Sequence, residues 1–186
     1  MSIERLTNYF KTTDLDGQDI VKLIHKPVVL YSDLKNYKNL NQLLGSDGYV
    51  VILYQTSSKT TGHFVCLFVR NDTIHFQDSY GFKYDTRTEQ QYTPYDEPLP
   101  RYLTQLIESD GRQVVWNKHD FQNKNSNVAT CGRWSCVRIM LKDLDNQQFQ
   151  QVFYGNKCAF LTSDNLVVML TLVGLHDIQQ FYAKNG

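Results

Sequence analysis

GHFVCLFVRNDTIHFQDSYG, residues 62–81, decides the fold. Residues 62–70 are apolar nearly throughout and rich in β-branched and aromatic side chains, the pattern of a strand covered on both faces. A second β-rich run occupies residues 73–81, and only Asn71 and Asp72 separate the two. So short a polar connection suits an antiparallel hairpin. Upstream, YVVILYQ (residues 49–55) has the same character, so three adjacent strands form the centre of a sheet.

Working outward, residues 16–25 place Ile20, Leu23 and Ile24 at helical spacing, and Pro27 limits the extension. A brief strand, VVLY, precedes a second helix, with Ser32 as N-cap, Leu34, Tyr37 and Leu44 on one side and Gly45 as stop. Beyond the hairpin, residues 82–98 read as an excursion over the surface. A helix follows, with Leu99, Tyr102, Leu103, Leu106 and Ile107 in phase and Asp110-Gly111 closing it. RQVVWN (112–117) reads as a short strand. In CGRWSCVRIMLKDL, from Cys131, the apolar residues Val137, Ile139, Met140, Leu141 and Leu144 wrap most of the circumference, which predicts a helix buried mid-domain. Residues 163–174 and 176–184 complete the chain as helices. The expectation is a single α+β domain around a mixed or antiparallel sheet. N-terminal helices occupy 1–48, a core 49–145 and C-terminal helices 146–186.

The 186 residues suit one domain, and 41% hydrophobic content excludes a disordered chain. Lys plus Arg equals Asp plus Glu at 19 each, with no basic block, which disfavours standing affinity for nucleic acid. The charged N-terminus has no apolar signal core, and no apolar run is long enough to span a membrane, so a non-secreted protein is expected. Cys66, Cys131, Cys136 and Cys158 form no CxxC pair, so they read as free thiols and make a poor zinc site. No metal or other cofactor is expected.

Cysteine catalysis needs a thiolate, a base, a group that orients the base, and donors for the oxyanion. One candidate stands at an element edge for each role. His63 begins the strand that follows Gly62, and Asp78 ends the next strand. Both lie at nearly equal distances from the Asn71-Asp72 turn, so a carboxylate can hold one imidazole nitrogen across the hairpin. Cys131 opens the buried helix after Thr130, a candidate N-cap, where the helix dipole favours a thiolate. Gly132 would let a substrate backbone approach. The Cys131 N–H and the Gln122 side-chain amide are the oxyanion donors, with Asn125 and Asn127 as alternatives to Gln122. Each residue alone also has a plain structural reading: core thiol, hydrogen-bonded histidine, turn former, loop amide. Cys66, Cys136 and Cys158 read as packing. His119 is a reserve base, and His25, His75 and His176 lack a partner pattern.

Taken in order, "GHFV", "FQDSYG" and "FQNKNSNVATCGRW" resemble the cysteine peptidases that include the adenovirus maturation protease and the SUMO-specific proteases. The likeness covers about residues 49–145 and is greatest to the viral branch of large DNA viruses, virophages and polinton-type elements. Phe64 stands where that family usually has Trp, and with Gly132 it would line the substrate cleft. The resemblance implies a papain-like fold and a thiol endopeptidase that processes capsid or core precursors near small or Gly-containing sites. It also implies virion precursors as partners, with an activating peptide left open, and action in the virion, the host cytoplasm or a virus factory. A deubiquitinase-like or deSUMOylase-like peptidase, an acyltransferase, and a catalytically silent binding module are the alternatives.

Overall fold

A computed structural model describes residues 3–55, 58, 60–86, 101–124, 127–154 and 162–172. Five strands lie in one sheet in sequence order: β1 (Val29–Leu30), β2 (Tyr49–Gln55), β3 (Gly62–Arg70), β4 (Thr73–Gln77) and β5 (Gln113–Trp116). The three central strands are antiparallel, while β1 joins β2 and β5 joins β4 in parallel, so the sheet is mixed. The expected α+β class and mixed sheet are therefore present. At the β3–β4 turn, Asn71 and Asp72 have φ of 48° and 58°. Two successive left-handed residues make the tight turn whose twist matches that of the flanking strands.

Helices cover both faces, which is why β2 and β3 are apolar except near their ends. Val50, Ile52 and Tyr54 point with Val65 and Leu67 into one core. It is closed by a 3-10 turn (Tyr31–Asn36), α3 (Leu40–Leu44) and α4 (Tyr102–Asp110). Val51 and Leu53 point the other way, with Phe64 and Cys66, against α2 (Gly17–Ile24) and α5 (Cys131–Met140). Every residue of α5 from Cys131 to Ile139 is buried. Its far side packs Trp134 and Val137 against α6 (Asn146–Tyr154) and α7 (Ser163–Leu170), through Phe149, Phe153 and Val167. Burying one such side chain stabilises by about 1.5–3 kcal/mol.

Several local readings change. Helices α1 (Ile3–Lys11) and α6 are additional to those expected. The helix expected from a Ser32 cap is instead a 3-10 turn and a separate α3, capped by Asn39, which accepts from the Gln42 N–H at 2.9 Å. The turn-favouring Asn36 and Asn39 divide the run. The strand expected through residue 81 ends at Gln77. Leu141 and Leu144 fall beyond α5, and the expected segments 176–184, Leu99 and most of 82–98 lie outside the described residues. Among the described residues no helix is long and apolar enough to cross a membrane.

In the last turn of α5, Arg138 is fully buried between the Phe68 and Phe149 rings, 4.5 and 4.8 Å from their centroids. Its guanidinium donates to the Leu141 and Leu144 carbonyls at 2.9 Å each, tying down the turn that follows the helix. Burial lowers its pKa to about 10, still charged at neutral pH.

Candidate active site

β3 enters the sheet at Gly62, opposite Gln55. A Cβ on Gly62 would lie 1.9 Å from the Tyr54 carbonyl oxygen, so only glycine lets the strand start here. The next residue, His63, is 5% exposed and pairs with Tyr54. Its Nε2 is 2.8 Å from Asp78 Oδ1. Strand pairing stops at Cys66 and Gln77, and the same register carried further would set Tyr80, not Asp78, opposite His63. Asp78 is thus a diagonal neighbour that reaches His63 because the chain turns after Gln77.

Asp78 is fully buried and fixed along its backbone. Its N–H donates to Asn117 Oδ1 at 2.9 Å, and its carbonyl accepts from Asn117 Nδ2 at 2.6 Å. Asp78 Oδ1 also accepts from the Tyr80 N–H at 2.8 Å. The Tyr80 ring stacks on the imidazole, centroids 5.0 Å apart and planes 19° apart. Gly81, at φ 77°, then brings the chain against the backbone of Lys118 and His119, where a side chain would be crowded.

Cys131 is the first residue of α5, 8% exposed, and its side chain is hydrogen-bonded to His63. With Nε2 committed to Asp78, the other ring nitrogen is the one left for the thiol. Burial opposes protonation of His63. The Asp78 carboxylate, its hydrogen bond and the Cys131 contact outweigh that penalty and hold the imidazole well above its ordinary 6.5. The three residues expected to act together therefore do meet. Cys66 and Cys136 are core thiols, and burial pushes Cys136 up to about 12 and Cys66 up as well.

Thr130 precedes the helix but does not cap it: its side chain accepts no helix N–H. Its hydroxyl instead donates to Asp164 Oδ1 at 2.6 Å, which also accepts from Trp134 Nε1 at 3.1 Å. Asp164 Oδ2 accepts from the Asn123 N–H at 2.9 Å. One buried carboxylate from α7 thus pins both the loop before Cys131 and the first turn of α5. The Trp134 N–H bonds the Thr130 carbonyl at 2.9 Å, and the N–H groups ahead of it lie where a helix supplies no carbonyl of its own and an anion can be received.

Gln122, 3% exposed, is held on three sides. Ser79 Oγ donates to its Oε1 at 2.9 Å, and its Nε2 donates to the Val128 carbonyl at 2.9 Å and to Tyr80 Oη at 3.1 Å. Backbone N–H groups of Phe121 and Gln122 both donate to the Ser79 carbonyl, tying this loop to the segment after Asp78. Asn127 is exposed, and Asn125 lies outside the described residues. Phe64 is buried in the α5-facing core. The space a Gly132 side chain would fill is taken by Phe64, Ile20 and Leu15, so the smallness of Gly132 serves helix–strand packing. His119 sits edge-on to Phe121, away from the acid–base pair, and His75 stacks on Phe68.

Sequence reasoning missed Gly62 as a steric necessity, and Tyr80, Asn117 and Asp164 altogether. Tyr80 was in view within "DSYG", but nothing in the pattern separates a stacking ring from a turn residue. Asn117 and Asp164 act across gaps of tens of residues and leave no local signal. Among the described residues no group of three or more His, Cys, Asp or Glu is placed to hold a metal ion.

Fold and site together define an α+β domain in which a carboxylate-held imidazole at the start of the central strand of a mixed sheet meets a cysteine at a helix N-terminus. No protein-family model matches the chain. It is 31% identical over 172 residues to "Uncharacterized protein V9" of Sputnik virophage, a match covering 88% of this chain and 97% of that protein. The chain belongs to the family of this virophage protein. Its structure is also similar to the central domain of the uncharacterized Lpg1148 protein from Legionella pneumophila, with TM-score 0.40 and 15% identity over 85% of this chain and 94% of that domain.

Proposed function

We propose that this chain is a papain-like cysteine endopeptidase of virion maturation, cleaving capsid or core precursors near small or Gly-containing sites. The observation that carries the reading is the double engagement of His63, with Asp78 at 2.8 Å on one nitrogen and the Cys131 thiol hydrogen-bonded to the ring. Membership of a virophage protein family supports the viral setting.

In the proposed reaction the Cys131 proton passes to His63, and the sulfur attacks the scissile carbonyl carbon. The carbonyl electron pair moves onto oxygen, where the Cys131 N–H receives it, joined by the Gln122 amide as one of its two N–H groups turns from Tyr80 to the oxyanion. Collapse of this intermediate breaks the C–N bond, and His63 delivers its proton to the leaving amine. Water, deprotonated by His63, then adds to the thioester, the C–S bond breaks, and the carboxylate product leaves with the thiol restored. Asp78 holds the imidazole in one tautomer and stabilises its charge throughout.

The test is Cys131→Ala. The variant should fold with the wild-type circular dichroism spectrum and leave candidate virion precursors uncut, while the wild type creates new N-termini that can be mapped. Equal processing by the variant refutes the proposal.

A further inference from the structure

Tyr80 touches His63, Asp78 and Gln122 and has no role in the mechanism above. Its ring stacks on His63, its N–H donates to Asp78 Oδ1, and its hydroxyl accepts from Gln122 Nε2. Its neighbour Ser79 donates to the other end of the same amide. The acid–base pair and the amide donor are thus tied through two consecutive residues, Ser79 and Tyr80. We propose that Tyr80 is a positioning residue that couples the two halves of the site: its ring maintains the His63–Asp78 pair, and its hydroxyl aims the Gln122 amide. The inference rests on reading the site as a thiol hydrolase.

The two functions reside in different atoms. A flat ring over the imidazole keeps water from one face of the His63–Asp78 bond, and a bond shielded from water is electrostatically stronger. Removing the ring weakens burial and attraction together. Because the attraction to Asp78 and Cys131 outweighs burial at His63, the net effect is a fall toward the ordinary value. The hydroxyl acts elsewhere. It accepts the second Gln122 N–H, the one not given to Val128, and so holds that N–H in place until an oxyanion draws it away. Without the hydroxyl, Gln122 keeps only its bonds to Ser79 and Val128 and the amide is less well aimed.

Two chemical probes separate these functions. Alkylation of Cys131 by iodoacetamide is a displacement at carbon that needs the thiolate and develops no oxyanion. Hydrolysis of p-nitrophenyl acetate needs both: sulfur adds to the carbonyl carbon, nitrophenolate leaves as the C–O bond breaks, and water then cleaves the thioester. Alkylation is followed by peptide mass spectrometry, so that only Cys131 is counted.

Tyr80→Phe should leave Cys131 alkylation and the His63 titration unchanged and lower ester turnover about tenfold, short of the roughly hundred- to thousand-fold loss of a whole donor. Tyr80→Leu should slow both reactions and move the His63 ring titration, read by NMR, to lower pH. Equal ester turnover in Tyr80→Phe and wild type overturns the hydroxyl role. An unmoved His63 titration in Tyr80→Leu overturns the ring role. Cys131 in wild type reacting no faster than in His63→Ala, by contrast, overturns the thiol-hydrolase reading beneath both.

Discussion

Gly62→Ala changes one hydrogen to a methyl at the point where β3 begins, and its effect can be worked from distances. The new Cβ would lie 1.9 Å from the Tyr54 carbonyl oxygen and 2.8 Å from the carbonyl carbon, both backbone atoms that cannot swing away. A carbon and a carbonyl oxygen come to rest about 3.3 Å apart, so the strand start must retreat by about 1.4 Å. His63 is the next residue and moves with it. Its 2.8 Å contact to Asp78 then opens to roughly 4 Å, beyond hydrogen-bonding reach. Overpacking of this kind costs about 1–3 kcal/mol, a fall in Tm of roughly 2–12 °C for a domain of this size. A misplacement of about 1 Å at a reacting group costs about a hundredfold in rate. The assays are thermal unfolding, the His63 titration by NMR, and Cys131 alkylation. Gly132→Ala is the control, since its Cβ would meet the Phe64 ring at 3.2 Å and a ring can tilt aside. A Gly62→Ala protein with wild-type Tm, wild-type His63 titration and wild-type alkylation refutes the steric argument.

Asp78→Asn should drop the His63 titration below its ordinary value, because burial then acts against a weaker partner, and should lower thiol hydrolysis about a hundredfold or more in a pH–rate profile. His63 is raised in the folded state, so its stabilisation is complete below pH 6.5 and drains away as pH rises through the raised native value. Urea denaturation of His63→Gln should therefore show a flatter alkaline limb than wild type. Arg138→Met keeps the bulk between Phe68 and Phe149 but removes the guanidinium's bonds to the Leu144 carbonyl and to the Leu141 carbonyl, the latter keeping the Leu144 N–H; a loss of roughly 1–3 kcal/mol is expected by chemical denaturation. Asp164→Ala should cost roughly 3–5 kcal/mol, since Thr130, Trp134 and Asn123 all lose their acceptor, and should shift the emission of the buried Trp134.

The hairpin and its three neighbours in function were legible because each lies on an element with a strong periodic or turn signal. Asn71 and Asp72 announce the turn, and unbroken apolar runs announce strands covered on both faces. Cys131 coincides with a change from polar loop to apolar helix, and α5 begins there. Helix α6 was not legible, because NQQFQQVFY has only Phe149 and Phe153 buried among glutamines, so its apolar stripe is one contact wide. Thr130 shows the limit of local reasoning. A threonine before a helix caps by default, yet here a carboxylate on α7 offers its hydroxyl a charged acceptor and wins it. Residues that act on the site from a distance, such as Asn117 and Asp164, are chosen by tertiary geometry and leave no pattern near themselves.

The carboxylate on α7 also sets the order in which this protein can become complete. A chain emerging from a ribosome presents His63, Asp78 and Cys131 well before Asp164. Until Asp164 arrives, Thr130, Trp134 and the Asn123 N–H have no acceptor in place, and the loop leading to the thiol is unpinned. The helix bearing Asp164 in turn meets α1, where Asn165 Nδ2 donates to Thr7 Oγ1 at 2.7 Å. The first-made and last-made described helices therefore clasp each other, so nascent and truncated chains carry the three reactive residues without their setting.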